Sequence, residues 1–317
     1  MTSTAGKRNE SFHLPVLAEE VVKLLVTRPD GTYADLTCGG GGHMKYVSGA
    51  LSEKAILVGV DRDSDAISAV LENLKSIPQE FKVFNLTFAR LEDMAEKSGI
   101  GQFDGFLIDL GVSSHQINTP YRGFSFMHDG PLDMKMGFES KRSALEIINY
   151  SSERELISIF REFGEEKKAG RCGRAIIQAR EKHQIKTTFQ LVEILRPVLP
   201  FRELNSSLAR IFQAIRITVN DELNQLKEVL SKVLSYLTVG GRLVVISYHS
   251  LEDRIVKRFM MGKAKGCICP PNFPVCACNK KPEVKILTKK AVRPLEEEIM
   301  MNIRARSARL RAVEKLG

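Results

Sequence analysis

The chain has 317 residues, of which 43% are hydrophobic and 27% charged, and a formal net charge of +9. That is an ordinary globular composition with ample material for a core, and no apolar run approaches the roughly 20 residues needed to span a bilayer. Residues 1–11 are short and polar, without the apolar core of a secretory signal, so the expected location is cytoplasmic and the six cysteines are expected to be reduced. The charge is uneven: residues 254–317 carry 16 Lys and Arg against 5 Asp and Glu, leaving the remainder at −2. A basic C-terminal fifth suits a polyanion partner; a solvated charged face is the alternative.

In chain order, Leu17, Val21, Leu24 and Leu25 follow helical spacing after Pro15, and residues 33–37 form a first strand. It runs into DLTCGGGGH (35–43), four consecutive glycines before a helix. Residues 55–60 (AILVGV) predict a second strand ending at Asp61, and Ile67, Val70, Leu71 and Leu74 the inner stripe of the next helix. Residues 81–86 alternate as a third strand and 103–110 (FDGFLIDL) form a fourth. This alternation predicts a doubly wound parallel α/β sheet with helices on both faces and the ends of strands one, two and four along one edge.

The pattern then breaks. Residues 118–142 predict a long loop rich in Gly, Pro and Met, followed by helices carrying Leu156, Ile159, Phe160 and Phe163, then Cys172, Ala175, Ile176 and Ala179, with Thr187 or Thr188 capping another. A helix with Leu223, Leu226, Leu230, Val233, Leu234 and Leu237, closed by Gly240-Gly241, leads to a fifth strand at 242–248. The division expected is 1–117 plus 208–317 as a discontinuous sheet domain, with 118–207 as a mainly helical insert.

The glycine turn lets backbone approach a ligand and aims free N–H groups at it. A dinucleotide fingerprint needs G-x-G-x-x-G, but the third glycine would fall at Met44 or Lys45. Asp35, four before Gly39 in a G-x-G, instead suits a methionine-type ligand with an amino group, which favours S-adenosylmethionine over NAD. Asp61 is placed to accept ribose hydroxyls or to cap its helix. Phe88 stacks on adenine or packs in the core. Asp109 holds an ammonium, accepts a proton or caps the next segment, and His43 contacts cofactor or caps its helix. The cluster Tyr248-His249-Ser250 faces substrate, or Ser250 caps the following helix. No G-x-S-x-G elbow supports a hydrolase. Cys267, Cys269, Cys276 and Cys278 pair as C-x-C…C-x-C, tighter than the usual zinc spacing; a zinc site, a metal-free loop and disulfides stay open, and no metal is assigned.

Taken together, DLTCGGGGH, VDRD (60–63), IDLGVSS (108–114), RGFSFMHDGPLDMKM (122–136), FGEEK (163–167), FQAIRITVNDEL (212–223), SYHSLEDRIVKRF (247–259) and RARSARLRAVEK (304–315) resemble the bacterial ribosomal RNA small-subunit methyltransferase H family over nearly the whole chain. The resemblance implies a class I methyltransferase fold with an inserted helical, substrate-recognising domain, and transfer of a methyl group from S-adenosylmethionine to the N4 amine of a cytidine in the decoding region of 16S rRNA, within the small ribosomal subunit and without a membrane. By motif it implies that Gly41, Gly42 and His43 contact the cofactor, that Asp61 binds the ribose with Phe88 near the adenine, and that Asp109 and Gln116 complete the methionine end. His115 departs from the proline that many members carry there. Asp109 is the candidate proton acceptor, Phe124, Phe126 and Met127 pack on the target base or anchor the insert, and Arg122, Arg254, Arg304 and Arg306 are candidate phosphate contacts. A nicotinamide oxidoreductase lacks its third glycine, and a non-catalytic assembly factor would not need the cofactor motifs.

Overall fold

The computed structural model of the chain describes residues 15–267, 269, 278 and 280–317. The polar N-terminal stretch and Cys276 lie outside the described residues. Strand β1 (Thr32–Asp35) is flanked by β2 (Ile56–Asp61) and β4 (Phe103–Asp109), and the seven-stranded sheet runs β3-β2-β1-β4-β5-β7-β6, with β3 at Glu80–Asn85, β5 at Leu237–Ser247, β6 at Val284–Ile286 and β7 at Arg309–Lys315. The first five strands are parallel, while β7 is antiparallel to both β5 and β6. This is the doubly wound sheet that the alternation predicts, in the form that the family resemblance implies, and β1, β2 and β4 do end along one edge.

Helices cover both faces. On one side α1 (Ala18–Leu25), α2 (Gly42–Ser48) and α3 (Ser64–Asn73) bury Val21, Leu25, Met44, Val47 and Val70 against Leu57, Leu107 and Val244. On the other, α4 (Leu91–Ser98), α11 (Glu222–Lys232) and α12 (Ser250–Ala264) bury Met94, Leu226, Leu230 and Val256 against Val58, Phe106 and Val245. Because both faces are covered, β4 is buried at six successive positions, as expected of a central parallel strand.

Several elements differ from the periodicity reading. Leu71 is 46% exposed, because Val70 and Leu74, four apart, already fill the contact with the sheet. The helix expected through Leu237 ends earlier: α11 passes into a 3-10 turn at Val233–Tyr236, and β5 starts at Leu237, paired with Phe103. Gly240-Gly241 therefore lies inside the strand, where the register against β4 shifts; the glycines mark a bulge rather than a helix end. Strands β6 and β7 are not among the strands expected from the sequence.

Between β4 and α11 the chain forms α5 (Ser114–Asn118), α6 (Ala144–Tyr150), α7 (Glu153–Glu162), α8 (Ala169–Arg180), α9 (Thr188–Leu195) and α10 (Leu204–Asn220). Helices α6 to α10 share a separate hydrophobic cluster including Ile148, Leu156, Phe160, Ile176, Leu191, Leu208 and Ile215. The cluster draws on α10 as far as Val219, past residue 207. Thr187, not Thr188, caps α9 through a box with Gln190, while the Thr188 hydroxyl donates to the His128 carbonyl. The long loop is tied down through buried Asn220, whose side chain accepts from Met136 N–H and the Ser140 hydroxyl and donates to the Met134 carbonyl.

Candidate active site

The glycine turn leaves the middle of three strands and is fastened on both sides. Toward β2, Asp61 Oδ2 accepts the Gly39 N–H at 2.8 Å, and its Oδ1 accepts the Asp63 N–H at 2.9 Å. Toward β4, the Thr37 hydroxyl accepts the Asp109 N–H at 2.6 Å. The Asp61 carboxylate on one side and the Asp109 backbone N–H on the other thus bracket one stretch of chain. Asp61 does not cap α3; that cap is Asp63, which accepts the Asp65 N–H. Each Asp61 oxygen keeps acceptor capacity beyond its backbone bond, and burial raises its pKa above the usual carboxylate value.

Gly41 has φ +83, and a Cβ there would lie 2.8 Å from Val70 Cγ2, so both backbone and packing call for glycine. Gly41 occupies the N-cap of α2 without a side-chain cap, which leaves the N–H groups of Gly42 and His43 at the open first turn. The missing third glycine of the dinucleotide pattern has a structural counterpart. Met44 faces β2 at Gly59, where a Cβ would lie 2.9 Å from Met44 Sδ. Close helix–strand packing is achieved here by a glycine on the strand instead of one on the helix.

The His43 side chain does not cap α2 either. It turns inward, with Nε2 2.9 Å from the Val16 carbonyl and Nδ1 3.7 Å from Asp109 Oδ2. A carbonyl only accepts, so Nε2 carries the proton and Nδ1 presents its lone pair to Asp109. Burial lowers the pKa of His43, which favours this neutral ring.

Asp109, at the end of β4, has a side chain 22% exposed. Burial pushes its carboxyl up to about 7, against the Tyr248 hydroxyl, which donates to Oδ1 at 3.0 Å. The Tyr248 turn is held by Glu252, whose Oε2 accepts the N–H groups of Tyr248 and His249. His249, not Ser250, caps α12. Tyr248 reaches Asp109 over Gly111, whose positive φ and absent Cβ leave room for the ring.

Other predicted residues have different surroundings. Asp35, the last residue of β1, is buried in a small cavity lined by Leu25, Tyr33, His43, Met44, Leu57 and Leu107, close enough to His43, Asp61 and Asp109 to interact with them electrostatically. Burial raises its pKa to about 6, and among the described residues its Oδ2 has no hydrogen-bond partner. Phe88 is half-buried and packs on the sheet core. The Gln116 side chain is engaged: Oε1 accepts the Ser113 N–H in a capping box, and Nε2 donates to Asp63 Oδ2 at 2.7 Å. Asp63 also pairs with Arg122, which is only 12% exposed and bound to Asp65 as well. Arg122 therefore acts as a strut between α3 and the loop. Arg254 pairs with Glu165, Arg304 donates to Asn118, and Arg306 is exposed. Phe126 packs edge-on against Phe212, and Phe124 joins the insert's core, whereas Met127 is exposed.

Residue chemistry alone did not single out Thr37 or the Asp63–Gln116–Arg122 network. Their signal is a backbone amide and a buried acid needing partners, which single-residue motifs do not carry. Glu165 was also missed; it adopts φ +50 and accepts from the Ser250 hydroxyl at 2.6 Å, fastening the FGEEK turn onto α12.

A sequence profile of the MraW methylase family matches residues 10–316. The chain is 45% identical over 311 residues to the ribosomal RNA small subunit methyltransferase H of Trichlorobacter lovleyi, covering 97% of this chain and 99% of that protein. It is 46% identical over 305 residues to the protein of the same name from Caldicellulosiruptor saccharolyticus, covering 96% and 99%.

Proposed function

From its membership of the MraW methylase family, we propose that the chain is an S-adenosylmethionine-dependent methyltransferase that modifies the N4 amine of a cytidine in 16S rRNA of the small ribosomal subunit. The single observation that carries the site is the bracketing of the glycine turn, with Asp61 tied to Gly39 and Asp109 tied to Thr37.

These residues fit the cofactor. Asp61 has free lone pairs at the end of β2, the position from which a carboxylate takes ribose hydroxyls. Gly41, Gly42 and His43 offer backbone that no side chain blocks, and Phe88 lies beyond β3 on the same edge. Carboxylates whose pKa is raised by burial gain from a nearby cation, and the methionine end carries an ammonium and a sulfonium. Gln116 serves that end by positioning, since its amide locks the turn after Asp109. When bound, S-adenosylmethionine supplies an electrophilic methyl group on sulfur.

The cytosine amine is a weak nucleophile because its lone pair is delocalised into the ring, so it needs alignment and an acceptor for the proton it sheds. Asp109 is that acceptor. With a pKa of about 7 it is partly ionised near neutrality, where a general base works well. Tyr248 steadies the ionised form by donating to it, and neutral His43 adds no competing positive charge. The helical insert, packed on its own core beside this edge, is the substrate-recognition element, and the basic C-terminal fifth supplies phosphate affinity.

The test is transfer of labelled methyl to small subunits lacking the modification, followed by mass spectrometry of digested rRNA. Label on N4 of one cytidine supports the reading. Cofactor binding without label on any rRNA base would overturn the substrate, and absence of cofactor binding would overturn the site.

A further inference from the structure

The segment that joins α12 to β6 has no part in the site above, yet its ends are fixed. At the neck, the Glu283 N–H donates to the Lys263 carbonyl at 2.9 Å, Lys263 Nζ pairs with Glu283 at 2.7 Å, and Lys280 Nζ donates to the Gly262 carbonyl at 3.2 Å. Beyond this neck three thiols converge. Cys267, Cys269 and Cys278 have their sulfurs all within 4.8 Å of one another. Cys267 Sγ and Cys278 Sγ, eleven residues apart, lie at 3.7 Å, and the Cys269 N–H donates to Cys267 Sγ at 3.4 Å.

That spacing favours a metal site among the readings the sequence leaves open. A disulfide requires sulfurs about 2.05 Å apart, and among the described cysteines no two are joined. Sulfurs on a tetrahedron about 2.3 Å from zinc lie about 3.8 Å apart, close to the 3.7 Å observed. An N–H donated to sulfur favours the thiolate, the form that binds metal. The tight C-x-C spacing does not prevent convergence, because each limb contributes from its own side of a closed neck.

We propose that Cys267, Cys269 and Cys278 hold one structural zinc ion as three of its ligands. Each thiol gives up its proton to solvent on binding. Lys265, Lys280 and Lys281 flank these cysteines in sequence and offset the negative charge that three thiolates leave around a divalent ion. The ion ties the chain leaving α12 to the chain entering the edge strand β6; it takes no part in methyl transfer.

The test uses the full chain, purified under reducing conditions without chelators or an affinity tag that binds metal. Elemental analysis is expected to give one zinc per chain. After the metal is removed, titration with cobalt(II) is expected to give the visible bands of tetrahedral thiolate coordination, saturating at one equivalent. Cys267→Ser and Cys278→Ser should abolish these bands, and Cys172→Ser, buried elsewhere, should retain them. A reduced wild-type chain that yields no such spectrum overturns the site, whatever the variants do. So does a cysteine pair found joined as a disulfide after purification with thiols blocked.

Discussion

In the helical insert, Ser143, Ser152 and Thr187 each accept a backbone N–H at a helix start, and the core beneath them is apolar and closed. At the edge of the sheet the opposite holds. Gly39 and Gly41 sit at positive φ, Asp35 Oδ2 is buried without a hydrogen-bond partner among the described residues, and two carboxyls are pushed up to about 6 and about 7. The helix starts of the first region obey local rules and are stabilised by them. The second breaks those rules at the residues that face chemistry, as expected where function is held at the expense of stability.

The sharpest way to break the contrast is Phe160→Ala. Phe160 is fully buried in the insert's core, and the cavity should cost about 3–5 kcal/mol, read from the denaturant midpoint. Cofactor affinity of the folded protein should not change; a parallel loss of affinity would show that the two regions are one energetic unit.

Asp109→Asn should do the reverse, lowering methyl transfer about 100-fold, equivalent to about 2.7 kcal/mol, while stabilising the fold. The folded carboxyl titrates near 7, against 3.8 for the ordinary group, so between those values the native state keeps a proton that the unfolded chain has released. The wild type therefore loses stability as pH rises through that window, and the asparagine variant should gain on it by roughly 1–4 kcal/mol above pH 7. Thermal melts at pH 5 and pH 8 measure the difference. The transfer rate of the wild type should rise as pH climbs through about 7; a flat profile together with normal turnover of the variant would leave Asp109 with cofactor binding alone.

The smallest effect belongs to Thr187→Ala, which removes the α9 cap and should cost about 1 kcal/mol with no change in transfer rate. A kinetic defect would mean that the α9 start reaches the substrate.

How far sequence carries is uneven for physical reasons. Strands β1, β2 and β4 are legible because burial on both faces makes them short apolar runs, and their carboxylate ends follow from that. Helix α10 carries Leu208, Ile211, Phe212, Ile215 and Val219 at helical spacing, a stripe that the sequence holds but that a reading by motif passes over. The basic, alternating RLRAVEK of β7 reads as surface although it lies between two strands, because Arg309 and Arg311 are neutralised by Asp253 and Arg242 by Glu314. The same pairing engages Arg309 and Arg311, two of the cations of the basic C-terminal fifth, within the protein. At the site, residues acting through backbone were legible as a motif, whereas Arg122, Gln116 and His43 depend on partners 27 to 59 positions away.

Met44 and Gly59 share a single volume between helix and strand. Neither position is free to drift alone: a side chain at 59 is admissible only after 44 has shrunk, and a larger group at 44 only while 59 remains bare. Over evolutionary time the two sites should be inherited as one character, with any route back to a glycine on the helix passing through a poorly filled intermediate.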